Sequence, residues 1–485
     1  MVVSTNTLRL NNDQKEQIMK NKGYLFILLL SSQLMAAEKS IETVEVEGRQ
    51  INLVGEAISA SQGIVGQKEI ELRPILRTGE VLELVPGLVV TQHSGTGKAN
   101  QYFLRGFNLD HGTDFATSVD GMPVNMRTHG HGQGYTDLNF LIPETVAQLA
   151  YKKGAYYADV GDFSGAGSAQ ITTAKSFNKN TTEASLGEDN FSRLLLLNST
   201  PVASGESLFA LELNRYDGPW QDIEEDIRKT NVLLKHTVSI NEGQLSLALM
   251  AYDNRWNSAD QIPLRAVEQG IISDLGSLDQ TVGGESSRYS VSADWQQGNW
   301  QLAAYAIKYQ LNLWSNFTYF LDDADNGDQF EQVDDRIIYG GQLSYSSEGK
   351  LSNKAMSNHF GGELRIDDID EVGLYRTRER QRLGTVRSDS VTESSLGVYW
   401  ENRIEWTDNF RSVLGARYDL FDFDVANNAD INFHGVELSE NSGNSSDSLV
   451  SLKGSLIYNF ANGWEAYGSA GQGFHSNDAG AQPFD

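Results

Sequence analysis

The chain contains no cysteine, few basic residues and no long apolar run. The absence of cysteine among 485 residues excludes a disulfide framework and a thiolate metal site. Lysine and arginine together number 38 against 65 acidic residues, so the formal net charge is −27. Because nucleic-acid binding depends on clustered basic residues, we expect no nucleic-acid partner. The sequence also lacks a Ser-His-Asp or Cys-His arrangement that would predict an enzyme.

The one sustained apolar run, residues 24–30, is too short to cross a bilayer as a helix. Lysines precede this run and small residues follow it, an order typical of a secretory signal peptide. We therefore predict a signal peptide over residues 1–37. Met19 is the expected translation start, which would make residues 1–18 an over-called extension.

From about residue 181 onward, apolar and polar residues alternate repeatedly with a period of two. This alternation suits a transmembrane barrel, in which lipid-facing and lumen-facing residues alternate along each strand. The abundance of glycine (46), tyrosine (19) and tryptophan (8) agrees with that architecture. The clearest alternating segments are residues 209–214, 244–249, 304–311, 414–420 and 450–456.

The connections between these segments are of two kinds. Tight turns on one side and long polar loops on the other are typical of periplasmic turns and extracellular loops. A β-sandwich could produce the alternation, but it would not readily produce this asymmetry. The predicted tight turns are residues 241–243, 297–299, 407–409 and 461–463, and the predicted long loops are 253–285, 314–335 and 422–447.

Residues 64–178 predict a small α/β domain built of short elements. We expect a helix over residues 78–85, with Thr78 as its N-cap, and a second helix that starts at Pro143 and ends before Gly154. Short strands are predicted at residues 88–91, 101–104 and 116–119.

Several motifs follow one another along this domain, and one more lies near the end of the chain. Glu-Leu-Val-Pro-Gly ends at residue 87, Tyr-Phe-Leu-Arg-Gly-Phe at residue 107, Val-Asp-Gly-Met-Pro at residue 123 and Ala-Tyr-Lys-Lys-Gly at residue 154. Gly-Ala-Gly-Ser-Ala-Gln-Ile ends at residue 171, and Tyr-Gly-Ser-Ala-Gly-Gln-Gly-Phe ends at residue 474. Together they resemble the plug and barrel of TonB-dependent outer-membrane receptors. The residues that carry the plug resemblance are Pro86, Gly87, Arg105, Gly106, Phe107, Asp120, Gly121, Lys153 and Gly154.

The resemblance implies a transmembrane antiparallel β-barrel with an N-terminal α/β plug domain in its lumen. By family the barrel has 22 strands, whereas residues 179–485 supply about 12–14, so we expect a partial barrel and a fragment of a longer chain. The implied location is the Gram-negative outer membrane, crossed many times by a monomer in contact with lipid. The expected domains are a leader at 38–63, a plug at 64–178 and the partial barrel at 179–485.

The leader carries the candidate contact with TonB, the periplasmic energy-coupling protein that the resemblance implies as a partner. Its alternating, strand-prone stretch would pair with TonB by β-strand addition. Two glutamates depart from the family's uncharged pattern, and an acidic linker is the alternative interpretation. The stretch consists of Ile41, Glu42, Thr43, Val44, Glu45, Val46 and Glu47.

Two glycine-rich segments of the plug supply candidates for cargo binding. Neutral imidazole is a common ligand of zinc, copper and nickel, so His111, His129 and His131 are predicted metal ligands. The alternative is that glycine-rich turns simply need polar residues, or that the histidine side chains form hydrogen bonds with the barrel wall. The full set of substrate-binding candidates, expected in flexible outward-facing loops, is His111, Arg127, His129, His131 and Tyr135.

Two further motifs have structural interpretations. Arg105 would either bind an anionic cargo or form a buried ion pair that keeps the plug docked, and its position within a motif favours the ion pair. Asp120 and Gly121 are expected to form a hairpin turn in which glycine supplies the positive φ angle.

The leading hypothesis is TonB-dependent import of a scarce nutrient, with an iron–siderophore or haem complex as the cargo that the family implies. Uptake of zinc or copper, motivated by the histidines, is the alternative within the transporter class. A passive porin or surface adhesin is the alternative from another class. No enzymatic activity and no resident cofactor are expected.

Overall fold

The computed structural model describes residues 48–50, 53–92 and 96–479. The predicted signal peptide and the candidate TonB-binding stretch, residues 41–47, therefore lie outside the described residues. Within the described ranges, no helix is long and apolar enough to cross a membrane.

The part of the chain that precedes residue 181, called the plug domain below, contains only short elements. Its helices are α1 (Gln67–Ile70) and two 3-10 helices, Thr78–Leu84 and Pro143–Thr145. Its strands are β1 (Gln62–Gly66), β2 (Leu88–Thr91), β3 (Gln101–Leu104), β4 (Phe107–Asn108), β5 (Phe115–Val119), β6 (Met122–Pro123), β7 (Val146–Lys153) and β8 (Gly167–Thr173).

These strands form two small sheets around an apolar core. The five-stranded sheet has the order β1-β7-β8-β5-β6, in which β5 and β8 are parallel and the other neighbours are antiparallel. The three-stranded sheet has the order β2-β3-β4. Val81, Leu82, Val119 and Leu149 are fully buried in the core between these elements.

Of the two helices predicted for the plug domain, the first is confirmed as a 3-10 helix with a different N-cap, and the second is wrong. Thr78–Leu84 is a 3-10 helix whose N-cap is Arg77, and the Glu80 carboxylate accepts the Arg77 backbone N–H at 3.2 Å. Val146–Lys153 is strand β7, because hydrogen bonds to β1 on one edge and β8 on the other outweigh its local helical pattern. The predicted strands at residues 88–91, 101–104 and 116–119 are confirmed to within one residue.

The rest of the described chain forms one antiparallel sheet of 13 strands, in which strands that follow one another in sequence are neighbours. Its loops include helix α2 (Leu264–Glu268) and a 3-10 helix, Ser439–Asn441. The strands are β9 (Thr181–Leu186), β10 (Ser192–Val202), β11 (Gly205–Tyr216), β12 (Ile227–Ile240), β13 (Gly243–Asn257), β14 (Gly283–Gln297), β15 (Trp300–Ser315), β16 (Phe330–Leu351), β17 (Lys354–Arg378), β18 (Gln381–Thr407), β19 (Phe410–Asn427), β20 (Gly443–Phe460) and β21 (Trp464–Gly471).

The two faces of this sheet differ as the sequence alternation predicts. In β13, Ala248 and Met250 are buried in the core cluster that includes the plug domain. Leu247 and Leu249, on the opposite face, are 46% and 47% exposed. An outer face of exposed apolar side chains is stable in lipid, so the predicted barrel-type strands are confirmed.

The connections of the sheet also separate into two ends. The predicted tight turns follow the even-numbered strands β12, β14, β18 and β20, and therefore lie at one end. At the other end, β17 and β18 join through residues 379–380, whereas the remaining long strands join through longer segments. These longer connections include residues 258–282, 316–329 and 428–442.

The predicted hairpin turn at Asp120 and Gly121 joins β5 to β6, with φ angles of 48° and 77°. Positive φ at both central positions is the turn type for which Asp-Gly is preferred. The Asp120 carboxylate accepts the Thr173 backbone N–H at 2.9 Å and lies 3.0 Å from Lys235 Nζ of β12. The turn therefore ties the plug sheet to the large sheet.

Replacing Gly121 with alanine is expected to lower the free energy of unfolding by about 1–2 kcal/mol, because a Cβ is strained in the left-handed region. Gly349→Ala is the matched control, since the nearest atom to a Cβ there would be Met356 Cε at 3.8 Å. Urea unfolding in detergent, followed by tryptophan fluorescence, measures both variants. Equal midpoints would contradict the strain assigned to Gly121.

Candidate functional site

A loop closed on itself presents the predicted site residues to the large sheet. The Met126 backbone N–H donates to the Tyr135 carbonyl and the Gly134 N–H donates to the Met126 carbonyl, and these two bonds close the loop. Its tip, residues 129–131, lies against β15 and β16. A Cβ at Gly130 would lie 2.4 Å from the carbonyl oxygen of Val333, so only glycine permits this close approach.

The three predicted histidines converge around Tyr135. The His129 ring stacks on the Tyr135 ring, with centroids 4.0 Å apart and an interplanar angle of 8°. The His131 ring meets Tyr135 edge-on at 5.6 Å. His111, from the segment between β4 and β5, places its Nε2 atom 3.2 Å from Nε2 of His131. The structure thus brings together four of the five predicted substrate-binding residues.

Burial distinguishes these histidines from the exposed, flexible loops expected. His111 is 6% exposed and His129 is 4% exposed, whereas His131 is half-buried. The expectation of open loops is therefore wrong for the first two. Residues 129–131 are covered because β15 and β16 pack over the loop tip.

His129 is held as a neutral ring with a defined tautomer. The backbone N–H of His131 donates to His129 Nδ1 at 3.1 Å, so the ring proton lies on Nε2. This Nε2 faces the Tyr309 hydroxyl at 3.4 Å and Asp334 Oδ2 at 3.8 Å. Burial, assisted by the charge of Arg336, lowers the pKa of His129 well below its usual range.

His111 and His131 are each fixed through Nδ1. His111 Nδ1 lies 3.1 Å from the carbonyl oxygen of Asn100, and His131 Nδ1 lies 2.8 Å from Gln332 Oε1. Gln332 Nε2 donates to the Gly130 carbonyl at 2.9 Å, which sets the orientation of the amide. Because Gln332 belongs to β16, the large sheet holds the position of His131.

Arg127, the fifth predicted residue, points away from the histidines. Its Nε donates to Asp162 Oδ2 at 2.7 Å, and its Nη2 donates to Ser395 Oγ of β18 at 2.9 Å. The guanidinium carbon lies 5.0 Å from the centroid of the Phe421 ring of β19. Arg127 is 4% exposed, and its contacts link the plug domain to the sheet.

Beside the histidines lies a buried ionic network that the sequence analysis does not predict. Arg336 donates to Asp334 Oδ2 at 2.6 Å, to Asp367 Oδ2 at 3.2 Å and to the Thr128 carbonyl. The Thr128 hydroxyl in turn donates to Glu393. The side chains of Arg336, Asp334 and Asp367 are all 0% exposed. The network could have been predicted from the charged residues at lumen-facing positions of β16, β17 and β18.

Three of the plug motifs meet at another part of the plug domain. The backbone N–H of Arg105 donates to the Gly87 carbonyl at 2.8 Å, and Lys153 Nζ donates to the Pro86 carbonyl at 3.0 Å. Burial lowers the pKa of Lys153. Gly154 has the predicted positive φ, 88°, but it follows strand β7 instead of capping a helix.

Arg105 does not have the environment predicted for it. Arg105 and Gly106, with φ angles of 54° and 82°, form the turn between β3 and β4. The Arg105 side chain is exposed, and the neighbouring Phe107 is 60% exposed. An exposed guanidinium is solvated, so the buried ion pair expected for Arg105 is wrong.

Two family models match this sequence. A model described as "TonB dependent receptor-like, beta-barrel" matches residues 234–484, more than half of the chain, and the "TonB-dependent Receptor Plug Domain" matches residues 55–168. The chain belongs to the TonB-dependent receptor family. Members of this family are transporters that interact with TonB and bind small-molecule cargo, and this receptor is an outer-membrane β-barrel protein.

Known relatives of the receptor are considerably longer than this chain. The vitamin B12 transporter BtuB of Vibrio vulnificus (strain CMCP6) is 28% identical over 404 residues, covering 78% of this chain and 61% of BtuB. The unliganded ferric citrate transporter FecA superimposes with a TM-score of 0.68 at 13% identity, over 89% of this chain and 63% of FecA. The copper transporter OprC gives 0.65 at 14% identity, over 88% and 64%. The receptor chain thus spans less than two thirds of each protein's length.

Asp137, just beyond the histidine loop, is a buried acid within the plug domain. It is 5% exposed, and its Oδ1 accepts the Asn139 backbone N–H at 2.8 Å. Burial raises the pKa of Asp137 to about 6, against the opposing charges of Arg288 and Lys229. The native protein therefore keeps this proton up to about pH 6, whereas the unfolded chain releases it near 3.8. Neutral, buried Asp137 therefore contributes its full stability below pH 3.8, and this contribution is lost as the pH rises to about 6.

Asp137→Asn is expected to stabilise the receptor above pH 6 by up to about 3 kcal/mol, and to leave stability unchanged at about pH 4. Asparagine keeps an oxygen that accepts the Asn139 N–H, so the local hydrogen bond is preserved. Urea unfolding at the two pH values measures the difference. Asp325→Asn, in an exposed loop, is the control that should change neither value. A stabilisation of equal size at both pH values would show that burial of the charge is not its cause.

Proposed function

We propose that this receptor actively imports a scarce nutrient across the outer membrane, energised by TonB. The supporting observation is the tight contact between the histidine loop and the sheet. Arg336, Asp334 and Asp367 are 0% exposed at this contact, so water is excluded from it. Cargo that binds above this contact passes only when the plug domain moves, and such a movement needs an energy source. A passive porin, the alternative from another class, needs a path that stays open.

We also propose how the receptor meets its partners and its membrane. Residues 41–47 pair with TonB as an added strand. Outward apolar side chains such as Leu247 and Leu249, each about half exposed, contact lipid. The receptor works as a monomer.

Replacing residues 41–47 of the intact receptor by a glycine-serine linker of equal length is expected to abolish uptake and to leave cargo binding unchanged. The reason is that the linker cannot form the strand by which TonB pulls. Binding to purified receptor and accumulation in cells are measured separately. The double variant Glu45→Gln, Glu47→Gln is the matched control, because it removes the acidic charge and retains strand-forming side chains. Uptake that survives the linker would favour a passive porin or an adhesin.

For the cargo, an iron–siderophore or haem complex is the first candidate. Its support is likeness to the family, in which the superimposable FecA is a ferric citrate transporter. Of the clustered rings, His111, His129 and Tyr135 are buried, so a bulky chelate would first contact the partly exposed His131.

Zinc or copper is the second candidate, and a specific observation favours it. The Nε2 atoms of His111 and His131 lie 3.2 Å apart, a separation suited to two ligands of one metal ion. OprC, which shares the fold, is a copper transporter.

Starvation of cells separately for iron, zinc and copper is expected to show which cargo the receptor serves. The abundance of the receptor in outer-membrane fractions is the measurement, because a transporter of a scarce nutrient is made when that nutrient is lacking. Induction by iron starvation alone would support a siderophore or haem. Induction by zinc or copper starvation alone would support the second candidate. A response to none of the three would contradict both.

A further inference from the structure

The ladder between β20 and β21 stops well before β20 does. β20 spans Gly443–Phe460, but its pairing with β21 covers only residues 453–460. The last pair is Lys453 with Gly471. Among the described residues, the part of β20 before residue 453 therefore has a strand partner on one edge alone, β19. An open strand edge offers backbone N–H and C=O groups to any extended segment that reaches it.

The side chain of Gln472 ends this ladder. The Leu452 backbone N–H points towards Gln472, so these two residues would form a hydrogen-bonded pair in a continued ladder. In the structure, that N–H donates to Gln472 Oε1 at 3.1 Å, in place of the Gln472 carbonyl. The carbonyl accepts from Lys453 Nζ at 2.7 Å instead. The chain therefore leaves the sheet at this residue.

Residues 472–479, called the latch segment below, run between the plug domain and the sheet. A Cβ at Gly473 would lie 2.8 Å from Gly165 Cα and 2.9 Å from the Ser164 carbonyl oxygen. The Phe474 carbonyl accepts the Ser164 N–H at 3.2 Å. The backbones of the latch segment and the plug domain are thus in direct contact, and only glycine permits this approach.

Polar contacts with the plug domain continue along the latch segment. His475 Nδ1 donates to Asp114 Oδ1 at 2.9 Å. The Ser476 N–H and hydroxyl donate to Oδ1 and Oδ2 of Asp162, at 2.7 and 2.8 Å. Asp162 also accepts from Arg127, so the latch segment joins the contacts that link the plug domain to the sheet.

The end of the latch segment is buried far from β20. Ala479 is 0% exposed and shares an apolar cluster with Val391 of β18. Its N–H donates to the Thr128 hydroxyl oxygen at 2.7 Å, in the loop that carries the histidines. Because β18 lies two strands from β20, the separation is about 10 Å.

We propose that the latch segment has two positions. In the one that the structure shows, it holds the plug domain against the sheet. In the other, it continues β21 along the open edge of β20 and gives up its hydrogen bonds to the plug domain. The Lys453–Gly471 pair sets the register, so residues 472–479 would pair with residues 445–452. That the change accompanies transport rests on the proposed import function, but the two positions do not.

Disulfide formation tests the second position, because the chain has no cysteine of its own. In the continued ladder, Asp447 and Asn477 would form a non-hydrogen-bonded pair with Cα atoms about 4.5 Å apart, which a disulfide can bridge. A separation of about 10 Å is beyond that reach. Asn477 is exposed, so its replacement leaves the buried contacts of the latch segment in place. The variant Asp447→Cys, Asn477→Cys of the intact receptor is oxidised, and mass spectrometry follows the linked fraction with time.

The control for this pair is Ser455→Cys, Ser469→Cys. These residues already pair in β20 and β21, with their Oγ atoms 2.9 Å apart. They should link rapidly in every variant, which also shows that the ladder has folded. A pair at 447 and 477 that never links would overturn the proposal, and so would one that links as fast as the control in the purified, unaltered receptor.

Displacing the latch segment tests the first position. Added to the cysteine pair, Gly473→Ala is expected to raise the linking rate of purified receptor about tenfold, because its Cβ would overlap the backbone of residues 164–165. Gly468→Ala, also in this part of the chain, is the matched control, since a Cβ there would have no described atom within 4 Å. An unchanged rate in Gly473→Ala would overturn the latch whether or not the receptor imports anything.

The connection with transport is tested in cells. Energised cells are expected to link the cysteine pair faster than de-energised cells, and the glycine-serine linker in place of residues 41–47 is expected to abolish this increase. No increase, in a receptor whose uptake the linker still abolishes, would refute release of the latch segment during transport and leave import standing. Uptake that the linker does not affect would refute TonB-dependent import, and the result with purified receptor would still decide the two positions.

Discussion

The buried ionic network between the plug domain and the large sheet is the constraint on which the candidate site depends. Arg336 is 0% exposed and is enclosed by Asp334, Asp367 and the Thr128 carbonyl. A buried charge is tolerated only when its hydrogen-bonding groups are satisfied, so the loop that carries Thr128 has one acceptable position. The histidine at residue 129 follows directly in that loop. Its stacking partner and its contacts with β15 and β16 are thus set by the same network.

Apolar and charged contacts both hold the plug domain against the sheet. Leu195, Leu208 and Met250, from β10, β11 and β13, share a core cluster with Leu149 of the plug domain, and Ile338 of β16 joins the same cluster. Charged contacts cross on both sides, from Lys235 of β12 to Asp120 and from Arg336 of β16 to the Thr128 carbonyl. Breaking a buried charged contact leaves a group without its partner, so these bonds help to fix the position of the histidine loop.

The sequence predicts the large sheet well because its strands follow a local rule. Apolar residues such as Leu247 and Leu249 alternate with lumen-facing ones, and lipid on one side enforces that period. The hairpin turn at Gly121 is also predicted from adjacent residues alone. By contrast, Val146–Lys153 becomes a strand through pairing with β1 and β8, and neither partner is visible in its own composition. The pairing of Arg336 with Asp367, 31 residues away, depends on strand register, and exposure of Arg105 depends on which side of the domain its turn occupies.

The histidine cluster shows how far spacing along the chain can mislead about chemistry. His129 and His131 are two residues apart, yet their hydrogen bonds give them opposite tautomers, and it is His111 whose Nε2 atom lies 3.2 Å from that of His131. The tautomer of His131 is enforced by Gln332, a residue of the sheet and not of the plug domain. Moving the loop tip away from β16 would remove this constraint and separate His131 from the fixed position opposite His111.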